Sequence, residues 1–383
     1  MGRSSMRVYF HAENKTAQTE QEHINLEKTQ NTEQYAGRVR VALDGMGGDH
    51  APKEIVRGAV DAVKELDQVQ ILLLGSEEIL QNELRQYDYP KDRIAVISTT
   101  EVIEMAEPPV NAIRTKKDSS IVRGMKMVHN GEADAFVTAG STGATLVGGQ
   151  ILVGRIKGIE RPPLAPLMPT SKGPVLLIDC GANVDARASQ LVQFAQMGSI
   201  YMENVVGIKN PRVALFNIGV EEEKGNALVK ETYPQLKALG EEGVIHFVGN
   251  IEARDIPAGA ADVVVCDAFT GNAILKMYEG VASTLLHEIK GALLSTTAGK
   301  VGGLLIKPSL KSVLKKFDAS SYGGAPMLGL KGLVVKTHGS AKAVEVKHSI
   351  EQCITFQKAD INGLFKDRMH LVDRTKPAEA AEK

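Results

Sequence analysis

The chain has 383 residues, 43% of them hydrophobic and 24% charged, with 45 basic against 46 acidic residues and a formal net charge of −1. That length allows one large or two modest domains with a sizeable core. The balanced charge gives no field suited to a polyanion, and 4% aromatics without Trp gives no stacking platform, so a nucleic-acid partner is not expected. No run of 18 apolar residues exists to span a membrane. Three cysteines without CxxC spacing, Cys180, Cys266 and Cys353, suit a reducing cytosol and predict neither a metal site nor a disulfide framework.

Residues 1–37, rich in Gln, Glu, Thr and Asn, read as a disordered extension outside the core. A catalytic α/β domain is expected over 38–370. Its apolar runs are Val39–Leu43, Val69–Leu74, Ile94–Ile97, Ala135–Ala139, Val175–Ile178, Val213–Ile218, Val244–Val248, Val263–Cys266 and Leu333–Val335. Most are continuous, as in strands buried on both faces. Helical patterns over Lys53–Leu66, Gln190–Tyr201 and Ala227–Leu239 lie between them, which predicts a mostly parallel sheet sandwiched by helices. Residues 281–320 interrupt the alternation and read as a protruding helical hairpin with a glycine-containing tip around Gly299, Gly302 and Gly303. Residues 371–383 read as a disordered tail.

Strand after strand ends in a polar, glycine-rich turn. These are Asp44-Gly45-Met46-Gly47-Gly48-Asp49-His50, Thr138-Ala139-Gly140-Ser141-Thr142-Gly143, Asp179-Cys180-Gly181-Ala182-Asn183-Val184-Asp185, Asn217-Ile218-Gly219, Asp267-Ala268-Phe269-Thr270-Gly271-Asn272 and Thr337-His338-Gly339-Ser340. Ligands of open α/β sheets bind beyond the carboxyl ends of the strands, where glycine lets backbone amides approach an anion. Each turn alone equally fits plain strand-to-helix geometry. None matches G-x-G-x-x-G, the P-loop, a G-x-S-x-G elbow or zinc-ligand spacing.

Lys224 follows Glu221, Glu222 and Glu223, whose carboxylates would hold it charged beside an oxyanion; a solvated charge run is the plainer reading. His338 stands at a strand end, where it could act as a general acid or cap a helix. In residues 304–317, apolar Ile306, Leu310, Val313, Leu314 and Phe317 share one helical face, with Pro308 suited to a first turn and lysines elsewhere. Such a face can lie on an anionic membrane or pack against the core or a second copy.

Taken together, Leu43–Asp49, Gly158-Ile159-Glu160-Arg161-Pro162, Asp179–Asp185, Phe269–Asn272, Tyr322-Gly323-Gly324-Ala325 and His338–Ser340 resemble the bacterial phosphate acyltransferases of phospholipid synthesis, the PlsX family. The likeness runs from about Val39 to about Gln357. It implies a fold similar to that of isocitrate and isopropylmalate dehydrogenases and of phosphotransacetylases, a homodimer, and no cofactor. The reaction it implies is acyl carrier protein thioester plus inorganic phosphate giving acyl phosphate plus free carrier. The product would pass to a membrane glycerol-3-phosphate acyltransferase, with the enzyme cytoplasmic and peripheral to the inner face of the cell membrane.

On that reading Lys224 carries phosphate and oxyanion charge, with Asn183, Asn226 and Asn272 as neutral donors. Gly47, Gly48, Asp49, Gly140, Ser141, Thr142, Gly143, Asp185, Thr270 and Gly271 form the phosphate and substrate turns. His338 protonates the departing thiolate. Leu305, Ile306, Leu310, Leu314 and Phe317 meet the membrane. Arg114, Lys116, Lys117 and Arg123, or Arg155, Lys157 and Arg161, are candidate contacts for the acidic carrier, against the plainer reading as ordinary surface. Ser141 stands where the family usually has Asn. The rival expectations are a phosphotransacetylase-like enzyme acting on acyl-CoA, an NAD-dependent hydroxy-acid dehydrogenase, and a non-catalytic membrane-surface scaffold.

Overall fold

The computed structural model describes residues 37–317 and 319–369. The expected extension up to residue 36 and the expected tail from 371 lie outside the described residues. In chain order the strands are β1 (Val39–Asp44), β2 (Val69–Gly75), β3 (Ile94–Ser98), β4 (Ala135–Thr138), β5 (Leu167–Thr170), β6 (Gly173–Ile178), β7 (Arg212–Phe216), β8 (His246–Ile251), β9 (Val263–Val265), β10 (Ala325–Met327) and β11 (Leu333–Lys336). The helices are α1 (Lys53–Glu65), α2 (Glu77–Leu84), α3 (Pro109–Thr115), α4 (Ser120–His129), α5 (Thr142–Gly148), α6 (Ala188–Tyr201), α7 (Ala227–Glu241), α8 (Ala268–Ser295), α9 (Thr297–Lys316), α10 (Ala343–Lys358) and α11 (Ile361–Arg368).

The strands form two sheets, ordered β10-β11-β4-β1-β2-β3 and β5-β6-β9-β7-β8. Every pairing is parallel except β10 with β11 and β5 with β6. The sheets are thus mostly parallel and flanked by helices, as the apolar runs predict. β2 is buried along its whole length, which explains why it reads as a continuous apolar run.

Helices cover the sheets through stripes at helical spacing. α1 buries Ile55, Val56, Ala59, Val60, Ala62 and Val63. Its Gly58 admits α10, since a Cβ there would sit 2.6 Å from the Cβ of Val346. One buried cluster runs from Val41 and Ile71 on the first sheet through Phe194 and Tyr201 of α6 to Leu176 and Val263 on the second. The two sheets therefore share a core.

The 281–320 expectation needs correction. Two helices are present, but the junction is Thr296, whose hydroxyl accepts the Gly299 amide at 2.9 Å as the N-cap of α9. Gly299, Gly302 and Gly303 lie inside α9, not at a tip. Gly299 faces the Leu293 carbonyl, where a Cβ would come within 2.7 Å, so it allows α8 and α9 to approach closely. Pro308 sits in the interior of α9, not in its first turn.

Candidate functional site

The six glycine turns sort by topology into two groups of three. In the first sheet the strands ahead of the turns, β11, β4 and β1, are consecutive neighbours. In the second sheet the corresponding strands, β6, β9 and β7, are also consecutive. Parallel pairing places each trio at one end of its sheet. Among the described residues no hydrogen bond joins one trio to the other.

In the first trio the turns touch. A Cβ on Gly47 would lie 2.3 Å from Asp44 Oδ2 and 2.7 Å from the Gly140 amide, and one on Gly48, at φ +101°, would lie 2.8 Å from Ala139 Cβ. Glycine is required at both points by close approach and, at Gly48, by the left-handed backbone. Asp44 is buried and accepts the Thr138 hydroxyl at 2.6 Å and the Met46 amide at 3.2 Å. Thr138 Oγ1 in turn accepts the Gly140 amide at 2.9 Å. Ser141, only 3% exposed, caps α5 by accepting the Ala144 amide. Gly140 and Ser141 therefore hold the turn's shape: the amide of the first and the hydroxyl oxygen of the second already have partners within the chain. Thr142 and Gly143 occupy the first two positions of α5, where helical amides have no intrahelical acceptor. Asp49 is exposed, and its amide donates to Gly339 O at 2.7 Å.

His338 is exposed. Its Nδ1 accepts the Ser340 amide at 3.2 Å and lies 2.8 Å from Ser340 Oγ. Acceptance at Nδ1 leaves the proton of the neutral ring on Nε2.

The second trio is organised by Asp179, which is fully buried. Its Oδ1 accepts the amides of Leu164, Gly181 and Ala182 at 3.0–3.1 Å. Its Oδ2 accepts the Asn183 amide at 2.8 Å and Asn183 Nδ2 at 2.7 Å. Burial pushes this carboxyl up from its ordinary value, while the N–H donors act in the opposite direction. Asn183 Nδ2 gives its second bond to Pro162 O at 3.1 Å, so both its donors are used. Asn183, expected as a neutral donor, thus spends both N–H groups on the loop it shapes.

Asp267 caps α8, accepting the Thr270 amide and hydroxyl at 2.9 and 2.8 Å. A Cβ on Gly271 would lie 2.0 Å from Asp179 O, so this glycine seats α8 against the end of β6. Asn272 is half-buried one residue further on.

Beyond β7, buried Asn217 donates to Lys224 O at 3.1 Å and pins the turn. Lys224 is exposed and pairs with Glu221 at 2.8 Å; that hydrogen bond raises the Lys224 pKa and keeps the ammonium charged. Of the three preceding carboxylates, Glu221 pairs with it, whereas Glu222 bonds Tyr233 and Lys237 instead. Asn226 caps α7 by accepting the Val229 amide at 2.9 Å. Asp185 is exposed on the 179–187 loop.

In α9, Leu305 and Ile306 are exposed, as is Phe317 just beyond it, whereas Leu310 and Leu314 are half-buried. Of the candidate carrier contacts, Lys116 pairs with Glu107 and Arg123 with Asp118. Arg155 bonds Glu160 O, and Arg161 bonds Gln150. Arg114, Lys117 and Lys157 are exposed.

Sequence patterning passed over Lys336. It closes an apolar strand, is only 7% exposed and lies beside the Gly140 turn. The available signal was its place between a continuous apolar run and a glycine turn.

Fold and turns together define an α/β protein whose strand ends carry glycine turns and hydroxyl side chains, with a charged lysine in the turn beyond β7. The chain belongs to the fatty acid synthesis protein family, whose model matches residues 39–363. It is 49% identical over 334 residues to a phosphate acyltransferase of Clostridium novyi, covering 87% of this chain and 98% of that protein. It is 52% identical over 318 residues to a phosphate acyltransferase of Alkaliphilus oremlandii, covering 83% and 93%. Among solved structures it shares its fold with a phosphotransacetylase from Streptococcus pyogenes (TM-score 0.55, 17% identity, 87% of this chain and 99% of that one). It does so too with the EutD phosphotransacetylase of Staphylococcus aureus (TM-score 0.54, 17% identity, 86% and 97%).

Proposed function

We propose that this chain is an enzyme that transfers an acyl group from acyl carrier protein to inorganic phosphate. The observation that carries the reading is near full-length identity to proteins named phosphate acyltransferase, 98% of one of them at 49%. A phosphate oxygen attacks the thioester carbonyl and forms a C–O bond. The tetrahedral oxyanion then collapses, the C–S bond breaks, and the carrier's thiolate leaves and takes up a proton. Phosphate is itself the nucleophile, so the protein's task is positioning and charge stabilisation.

In this reading the first trio, around Gly47, Gly48, Asp49 and the Gly140–Gly143 turn, supports phosphate. Lys224, with Asn226 and Asn272 near neighbouring strand ends, stabilises the oxyanion, and Thr270, whose amide and hydroxyl both go to Asp267, holds the substrate turn at the start of α8. His338 protonates the thiolate from its imidazolium form, giving up the Nε2 proton and returning to the neutral ring. Asn183, Gly271 and Ser141 hold the turns in place.

An acyl chain also needs apolar surface beside these polar groups. Val184, Ile218 and Phe269 are exposed large hydrophobics. Each is a neighbour in sequence of a polar turn residue: Asn183, Asn217 and Thr270. Replacing Phe269 with alanine is expected to raise KM for a long-chain acyl donor about tenfold, in line with loss of roughly 1.5 kcal/mol of apolar contact. KM for phosphate should stay level. An equal rise for a two-carbon donor would remove Phe269 from the acyl path.

The exposed apolar side chains of α8 and α9, among them Met277, Leu285, Leu294, Leu304 and Leu305, support this helix pair as the contact with a second copy and with the inner face of the membrane. No helix of the described residues is long and apolar enough to cross a membrane. Delivery of acyl phosphate to a membrane glycerol-3-phosphate acyltransferase fits that surface, and the reading keeps the dehydrogenase-like form of the fold.

Incubating long-chain acyl carrier protein with and without phosphate, and trapping product as hydroxamate, tests the reaction. Phosphate-dependent hydroxamate is expected. Turnover of acyl-CoA but not of the carrier thioester would favour a phosphotransacetylase, and binding to lipid without any phosphate-dependent turnover would favour a scaffold.

A further inference from the structure

Lys336 is the last residue of β11, in register with Thr138 of β4 and Ala325 of β10. It is almost wholly buried, yet it belongs to no ion pair at contact distance among the described residues. Its Nζ donates instead to two main-chain carbonyls, Ala139 O at 3.3 Å and Thr337 O. These carbonyls belong to the turns that follow β4 and β11. A lysine buried without a contacting carboxylate is costly, and burial brings its pKa down to about 8.

The charged groups that face it are all acidic: Asp44 of β1, Asp49 of the turn after β1, and Glu345 of α10. Thr138 and Ala325, its partners on the adjacent strands, are uncharged. His338 lies two residues away but is exposed and bonded to Ser340.

We propose that Lys336 is a positioning residue for phosphate: it ties the turns after β4 and β11 together and sets a fixed positive charge behind the first trio of turns. The inference rests on the reading of that trio as the phosphate side of the site. Asp44 and Asp49 alone would make this strand end repel a dianion. A buried ammonium fixed by two carbonyls offsets them without itself bonding the substrate. Lys224 supplies charge from the other sheet and is exposed, so the two lysines are not interchangeable.

The test is steady-state kinetics of the full chain with acyl carrier protein thioester, with phosphate as the varied substrate. Lys336→Met is expected to raise KM for phosphate about tenfold while KM for the acyl donor stays within about twofold. A pH series on the wild type supplies a readout that a merely structural lysine would not move. Between about pH 7.5 and about pH 9.5 phosphate is predominantly the dianion, so a rise in its KM across that window reports loss of the Lys336 proton. The same series on Lys336→Met should be flat. If the variant fails to fold, the same series on Lys336→Arg decides, because a side chain that keeps its charge across this window should hold the phosphate KM level.

An unchanged phosphate KM in a folded Lys336→Met, or a flat wild-type series, overturns the inference and leaves the acyltransferase reading intact. If the wild type shows no phosphate-dependent acyl release at all, that reading fails first.

Discussion

Replacing Lys224 with alanine is expected to lower turnover at saturating phosphate by about a hundredfold or more, the usual effect of removing one preorganised oxyanion donor. The structure gives the reason this lysine suits the task. Its backbone is fixed from below, because buried Asn217 donates to its carbonyl and Asn250 donates to the carbonyl of Glu221. Gly225, at φ +103°, lets the chain fold back over Asn217, where a Cβ would sit 2.5 Å from Oδ1. Its ammonium pairs with Glu221 in an exposed ion pair that substrate phosphate can outcompete. Lys224→Ala should therefore depress kcat and kcat/KM together without moving the unfolding midpoint. Glu221→Gln should leave kcat within about threefold, since it removes only the resting partner. A near-wild-type kcat for Lys224→Ala would remove the residue from the reaction.

Much of this architecture was legible because burial on both faces writes a strand as an unbroken apolar run. Val69–Leu74 and Val175–Ile178 became β2 and β6 for that reason. β5 and β10 were not expected: they are short, antiparallel edge strands carrying Pro169 and Pro326, which break the pattern of a central strand. β8 begins at His246, two residues later than the apolar run, because it too is an edge with exposed positions. Division into two sheets was hidden, since the pairing of β11 with β4 joins segments about two hundred residues apart and local pattern carries no record of partner choice. The site followed the same rule. Lys224 and Glu221 are three residues apart, so their pairing was readable, whereas the second bond of Asn183 reaches back to Pro162. Nothing local to the sequence marks an asparagine whose donors are already spent on the fold.

Asp179 carries the other large expected effect. Asp179→Ala is expected to destabilise the protein by at least about 3 kcal/mol and to abolish turnover. The carboxylate gathers five N–H donors from Leu164, Gly181, Ala182 and Asn183 in a buried loop. Alanine leaves all of them without an acceptor, and each stranded donor costs about 1–3 kcal/mol before any relaxation or entry of water. Relief of the buried charge offsets part of that sum, which is why the expected loss is well below five such penalties. The loop also anchors the start of α8, because the Ala268 amide donates to Asn183 O at 3.0 Å and Gly271 packs on Asp179 O. Loosening it displaces Thr270 and Asn272 along with Phe269. Asp179→Asn keeps one acceptor oxygen for the three amides on the Oδ1 side. It then turns an NH2 group toward the Asn183 donors, so it should destabilise as well, by less. Urea unfolding at constant m-value separates the three proteins in the order wild type, Asn, Ala. An alanine variant whose midpoint matches the wild type would show that Asp179 does not hold the loop.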